Sequence, residues 1–345
     1  MDIFKDGILI NITVNYWSGA KILSPEDLGL KKENVSDAFK LGNKALVPRE
    51  IIRKFRALEA RARNIVDTNS FKFPIGNARF IPKKKFPKIL KKLEKIKFEY
   101  IQLTEQLVIN YDKYRKEMQP IYRDAAEKAF YTSLPNSIEF NIEKMEQEKE
   151  HFVNNFLMRV ATFYPSANTL RDRFSLGWDV YEIALPRMKK SDSTEIVNGQ
   201  IKEDIAEEEY RAQTHEKIGK FLDEVVSVLR QETVEICTHI VKNIHSGKVI
   251  TGATIKSLKN FVENFKELNF VGDIKIEEEL NNLQRNFLDN YSSEQITKQI
   301  DLQSELKRRL GKLAKIAKET TDINSVTGQY KRKISWKGNG NDTEK

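Results

Sequence analysis

Residues 86–118 read FPKILKKLEKIKFEYIQLTEQLVINYDKYRKEM. In this stretch Phe86, Leu90, Leu93, Ile96, Tyr100, Leu103, Leu107, Tyr111, Tyr114 and Met118 recur every third or fourth position. Nine steps across 32 residues average about 3.6, so one apolar seam runs for about 48 Å at 1.5 Å per residue. A lone helix with this seam would leave large side chains in water, so a second long helix is expected to cover it. The cap of Asn136 with Glu139 opens one, with a stripe of Ile138, Ile142, Met145, Phe152, Phe156, Val160 and Phe163. Together they predict antiparallel, coiled-coil-like helices. Pro120 is expected to interrupt the first of them, with helix resuming to about Tyr131.

Upstream, Ile8, Ile10, Ile12, Val14 and Tyr16 alternate with Leu9, Asn11, Thr13 and Asn15, the period of a strand. Ser24, Pro25 and Asp27 then predict a capped short helix, with Leu23 and Leu28 at staple spacing. Pro48 opens a longer helix ending near Asn69, and residues 71–82 read as a hairpin-like segment with Pro74 and Gly76 at its turn. After Tyr164 and Pro165, the alternation of Phe174, Leu176, Trp178 and Val180 predicts a second strand. Residues 8–17 and 174–184 are expected in one sheet against the helix that starts at Pro48, because short strands cannot satisfy their backbone groups alone.

The fold class expected is mainly α. A small antiparallel or mixed β-sheet joins long antiparallel coiled-coil-like helices in residues 1–186, and a linker follows at 187–203. A helical domain occupies 204–321, its last helix running from Ile296 to about Lys318, and a disordered basic tail covers 322–345.

The chain has 345 residues, 39% hydrophobic and 32% charged, with a formal charge of +9. That balance suits exposed helices, each burying one stripe. No apolar run approaches the ~20 residues of a membrane span, and the opening residues lack the pattern of a signal peptide. A single cysteine, Cys237, excludes an internal disulfide framework. These features together predict a cytoplasmic protein.

Catalytic signatures are missing. His151, His215, His239 and His245 include no pair at helical zinc spacing. Glu148 and His151 form half of a di-iron pattern that needs a second copy, which the sequence lacks. Cys237 sits among apolar residues as a core cysteine would, and no nucleophile-elbow or phosphate-loop motif occurs. No catalytic residue, cofactor or metal site is expected, and the chain reads as a non-enzyme.

Charge is clustered instead. Lys83, Lys84, Lys85, Lys88, Lys91, Lys92, Lys95 and Lys97 crowd the start of the long helix. Lys307, Arg308, Arg309, Lys312, Lys315 and Lys318 form a second group, and the tail adds Tyr330, Lys331, Arg332, Lys333, Trp336 and Lys337. Lysines neutralise phosphates without reading sequence, and aromatics stack on unpaired bases. The contacts expected for nucleic acid are Lys83, Lys84, Lys85, Lys88, Lys92, Arg308, Arg309, Lys331, Arg332, Lys333 and Trp336; the plainer explanation is a solvated helix face. Arg171, Arg173 and Trp178, the densest mixture of charge and aromatic, mark a core strand or a partner-docking edge.

Several segments also occur in a familiar order: residues 10–19, residues 23–30, residues 73–76, residues 80–82, the 107–114 helix, and Tyr164 and Pro165 before residues 173–178. Over about residues 7–186 the chain resembles an uncharacterised family of phage and bacterial proteins that carries only a domain-of-unknown-function label. Relatives of that family are often encoded beside a MoxR-type AAA+ ATPase and a von Willebrand A-domain protein. The resemblance therefore implies an adaptor or client of an ATPase-driven system, in a bacterial host cell, and it supplies no catalytic residues. The expected function is a non-enzymatic interaction protein of phage or prophage type with a protein partner, an AAA+ ATPase. The alternative is a sequence-nonspecific nucleic-acid-binding accessory protein.

Overall fold

The computed structural model describes residues 6–134, 142–182, 200–247, 250–319 and 322–328, apart from residues 37, 75, 77 and 324; over 200–211 only the helical backbone is described. The fold is mainly α with a small sheet. Strand β1 covers Gly7–Asn15, β2 Ala20–Ile22, β3 Asn43–Ala45, β4 Phe71–Lys72, β5 Arg79–Pro82 and β6 Ser175–Tyr181. The principal sheet has the order β4-β5-β1-β6, so the two strands read from alternation lie in one sheet, as expected, and are neighbours in it. The hairpin at 71–82 is present, with Phe71 opposite Phe80 and Gly76 at a φ of 67° in its turn. The pairing of β2 with β3 has no alternating pattern to announce it.

Helix α1 spans Arg49–Asp67, α2 Phe86–Ile109, α3 Tyr111–Ser133 and α4 Ile142–Ala161. A short α5, Ala167–Leu170, leads through the 3-10 turn Arg171–Arg173 into β6. The C-terminal helices are α6 Gln200–His245, α7 Gly252–Leu268, α8 Ile274–Leu283, α9 Ser293–Lys298 and α10 Ile300–Ala317.

Two features of the long seam are corrected. The break falls at Asn110, not Pro120: the Asn110 side-chain amide donates to the Gln106 carbonyl at 2.8 Å, beside its own backbone N–H at 3.1 Å. Such side-chain competition for a helix carbonyl is what makes Asn a helix terminator. Pro120 lies within α3 on its exposed side, where water can satisfy the carbonyl that its missing N–H leaves free. Second, α4 packs on α3 rather than along residues 86–109, through Phe130 with Phe152 at 5.7 Å, Tyr122 with Phe156 at 6.4 Å, and Arg123 with Glu150 at 2.6 Å. The Asn136 cap lies outside the described residues. Helix α2 instead meets α1, by an edge-to-face contact of Phe55 with Tyr100 at 5.2 Å and an ion pair of Arg61 with Glu99.

The chain forms two compact units: residues 1–11, 65–91 and 179–345 in the first, and 12–64 and 92–178 in the second. This partition differs from the division read at 187–203, of which residues 187–199 lie outside the described residues and residues 200–203 open α6, because the 71–82 hairpin folds with the C-terminal helices. In the first unit Phe73 and Phe80 pack on Phe221, and Phe80 on Phe270 at 4.8 Å, continuous with a core from α6, α7, α8 and α10. In the second, Phe174 meets Phe55 at 4.6 Å, and Tyr111 contacts Trp17 and Tyr164. The Tyr100 hydroxyl donates to the Asn15 carbonyl at 2.6 Å, which anchors α2 to β1.

Two further corrections concern the C-terminal end. The helix read from Ile296 is split at Gln299, whose extended backbone (φ −102°, ψ 118°) separates α9 from α10. Order also extends past Asp322: buried Thr327 donates to Asp223 at 2.6 Å, and Asp322 accepts from Arg230 at 2.6 Å. Residues 329–345, the rest of the expected disordered tail, lie outside the described residues.

Candidate functional site

The second unit carries a face built by α2 and the segment 171–178. Trp178 is half-buried, and the Lys97 ammonium lies 5.3 Å from its ring centre, within cation–π range. Arg171 donates to the Glu105 carboxylate. Lys97, Ile101, Glu105 and Ile109 are spaced four apart on α2 and share one side of it. Ile101, 50% exposed, therefore sits between the Trp178 contact and the Arg171 ion pair, with Phe98 exposed beside it and Ile109 79% exposed beyond. β6 is an outer strand of its sheet, and Arg173 is exposed at its approach. Arg171 and Trp178 thus both meet α2, while Arg173 is exposed at the approach to β6. Phe98, Ile101 and Ile109, which the sequence reading did not single out, are apolar positions off the seam and are exposed.

The basic groups divide. Lys83, Lys84 and Lys92 are exposed. Lys88 is committed to Glu267, and Lys85 is corrected outright: only 3% exposed, it lies 3.7 Å from Glu267 and cannot reach a phosphate. Arg308 and Arg309 both clasp Glu305, whose carboxyl they hold at a pKa of about 2, so their charge is partly neutralised in place. Lys331, Arg332, Lys333 and Trp336 lie outside the described residues.

The strongest buried electrostatic feature is Asp27, in the 3-10 turn Pro25–Leu28 that Ser24 and Pro25 predicted. One carboxylate oxygen accepts from the Ser24 N–H at 2.8 Å and from Lys44, and the other from Arg159 at 2.9 Å. Burial pushes this carboxyl up, but the Lys44 and Ser24 hydrogen bonds outweigh it and hold the pKa below the ordinary value. Asp27 thus joins three segments of the chain through three hydrogen bonds to its carboxylate. Two clefts of 550 and 520 Å³ flank it; the first, lined by Glu148, His151, Asn155 and Phe156 among others, holds the half-motif noted in the sequence.

Among the described residues no three His, Cys, Asp or Glu side chains gather as a metal site. Cys237 is buried, and burial pushes its thiol up to about 12, the opposite of an activated nucleophile. Among the same residues no helix is long and apolar enough to cross a membrane.

Fold and surface together define a mainly helical protein organised on a small four-stranded sheet. The chain belongs to the family described as protein of unknown function (DUF3150), which it matches over residues 4–302. The match runs well beyond the 7–186 of the sequence resemblance, in keeping with a first unit that draws on both ends of the chain. No curated protein and no solved structure matches it.

Proposed function

We propose that this protein is a non-enzymatic interaction protein of phage or prophage type, an adaptor that docks an AAA+ ATPase on the face formed by α2 and residues 171–178, in the cytoplasm of a bacterial host. The observation that carries this reading is the exposed row Phe98, Ile101 and Ile109 rimmed by Lys97 on Trp178 and Arg171 on Glu105. Exposed apolar side chains with a polar rim are the composition of a protein interface. The choice of an AAA+ partner rests on the gene neighbourhoods that the family resemblance implies. Mixing the purified chain with a MoxR-type AAA+ ATPase of the same genome, with and without ATP, should give a co-eluting complex in size-exclusion chromatography. Separate elution in both nucleotide states would reject the partner.

A second reading, a sequence-nonspecific nucleic-acid-binding accessory protein, draws on the exposure of Lys83, Lys84 and Lys92. It expects binding to a labelled single strand that falls with salt at a log–log slope of about 0.7 per phosphate contact. An absence of binding at low salt would eliminate it.

A further inference from the structure

The outer edge of β3 opens on the second of the two clefts beside Asp27. In the β2–β3 pair Leu46 donates its N–H to the Gly19 carbonyl at 2.7 Å, and Leu23 donates its own to the Gly42 carbonyl at 3.1 Å. Lys21 lies opposite Lys44 between them. Backbone groups alternate in direction along an antiparallel strand, so Gly42, Lys44 and Leu46 address β2, while Asn43 and Ala45 turn theirs outward. The Tyr122 hydroxyl agrees with that direction, because it donates from α3 to the Ala45 carbonyl. Among the described residues nothing bonds the Ala45 N–H, or the N–H and carbonyl of Asn43. These main-chain groups stand in a row along one strand edge.

Beside that edge the cleft is apolar. Met118, Ile121 and Ala125 line it from one side of α3, and Leu28 from the 3-10 turn. Leu28 is 40% exposed and Ile121 57%, so large apolar side chains there lie open to water. An unpaired strand edge beside an apolar cleft suits an extended peptide: the edge pairs with its backbone and the cleft takes a side chain. A small apolar ligand would leave the Asn43 and Ala45 groups unused. Charge narrows the choice of peptide. The lining carries Glu50 and Glu117 against exposed Arg49, while Asp27 and Lys44 are bonded to each other. The pairing of Glu117 with Lys113, at 3.9 Å between exposed side chains, is of the weak, solvent-screened kind. We infer that this cleft binds an extended segment of a partner protein. The segment pairs as a strand with Asn43–Ala45, seats a large apolar side chain beside Leu28 and Ile121, and carries Lys or Arg next to it. None of these residues belongs to the α2 face, so the two sites stand or fall separately.

The probe is an acetylated, amidated peptide, Lys-Thr-Leu-Thr-Lys, titrated into the isotope-labelled full-length chain and followed by NMR. The Asn43 and Ala45 amide resonances should move, with a Kd at or below about 1 mM. Replacing the peptide's Leu by Ala should weaken binding at least about tenfold. N-methylation of its three central residues should abolish binding, because it blocks strand pairing. Exchanging both Lys for Glu should weaken binding at least about threefold at low salt, a difference that about 1 M NaCl removes. Ile121→Asn, at an exposed position, should melt as wild type does yet bind the Lys peptide at least about threefold more weakly. Unmoved Asn43 and Ala45 amides at about 5 mM peptide overturn the proposal. So does binding that survives N-methylation, which would make the cleft a site for small apolar molecules. Equal affinity for the Lys and Glu peptides at low salt overturns the basic segment.

Discussion

Arg159 reaches across 132 residues of sequence to donate to the Asp27 carboxylate at 2.9 Å, while Lys44 and the Ser24 N–H hold the opposite oxygen. Three segments of the second unit thereby meet at one buried anion. Asp27→Asn should destabilise the protein by about 3–5 kcal/mol in urea melts, because Lys44 stays buried without its counter-charge. Replacing Asp27 and Lys44 together with Leu and Met should recover most of that loss. A single-variant cost below about 1 kcal/mol would show the node to be incidental.

Acid should weaken the fold through the same chemistry. The hydrogen bonds from Lys44 and Ser24 hold Asp27 below its ordinary value against the upward push of burial, and the Arg230 bond lowers Asp322. A carboxyl depressed in the folded state contributes stability that is fully present above its unfolded pKa, near 4, and is lost as pH falls through the lower folded value. The urea midpoint should therefore fall between about pH 5 and pH 2. Asp322→Asn should flatten part of that fall, which parallel titrations of the two proteins will read.

Gly29 closes the Asp27 turn at a φ of 72°, and a Cβ there would lie 2.1 Å from the Ala129 carbonyl oxygen. Gly29→Ala should cost at least about 2 kcal/mol, since it meets both a disfavoured backbone region and a rigid neighbour. A melting temperature equal to wild type would mean that the turn can move away from α3.

The sequence discloses helices and strands better than their partners. Leu93, Ile96, Tyr100 and Leu107 were placed on the buried seam by spacing alone, and the structure buries all but Leu103, Phe86, Leu90 and Tyr114 of that row. Which helix covers the seam was not legible, because Phe152 and Phe156 suit any apolar groove and it is the break at Asn110 that gives them α3. Asp27 was read correctly as a capping residue, but its bonds to Lys44 and Arg159 are tertiary and leave no periodic trace. Arg171, Arg173 and Trp178 stood out by composition. Phe98 and Ile101 did not, because an off-seam apolar residue becomes informative only once the seam is known to be filled.

Trp178 separates packing from docking. Half-buried under Lys97, it should cost about 1–3 kcal/mol when changed to Ala, less than the about 3–5 kcal/mol of a fully buried Trp. Chemical denaturation measures this directly, and a cost above about 4 kcal/mol would place the ring in the core instead.

The docking face itself is tested by titrating the AAA+ ATPase against wild type and the Phe98→Asp, Ile101→Asp double variant. Both side chains are exposed, so the variant should melt as wild type does. Loss of at least about 100-fold in affinity, or about 2.7 kcal/mol, at unchanged melting temperature is the predicted result. Binding of wild type and variant with equal affinity would contradict the assignment of this face.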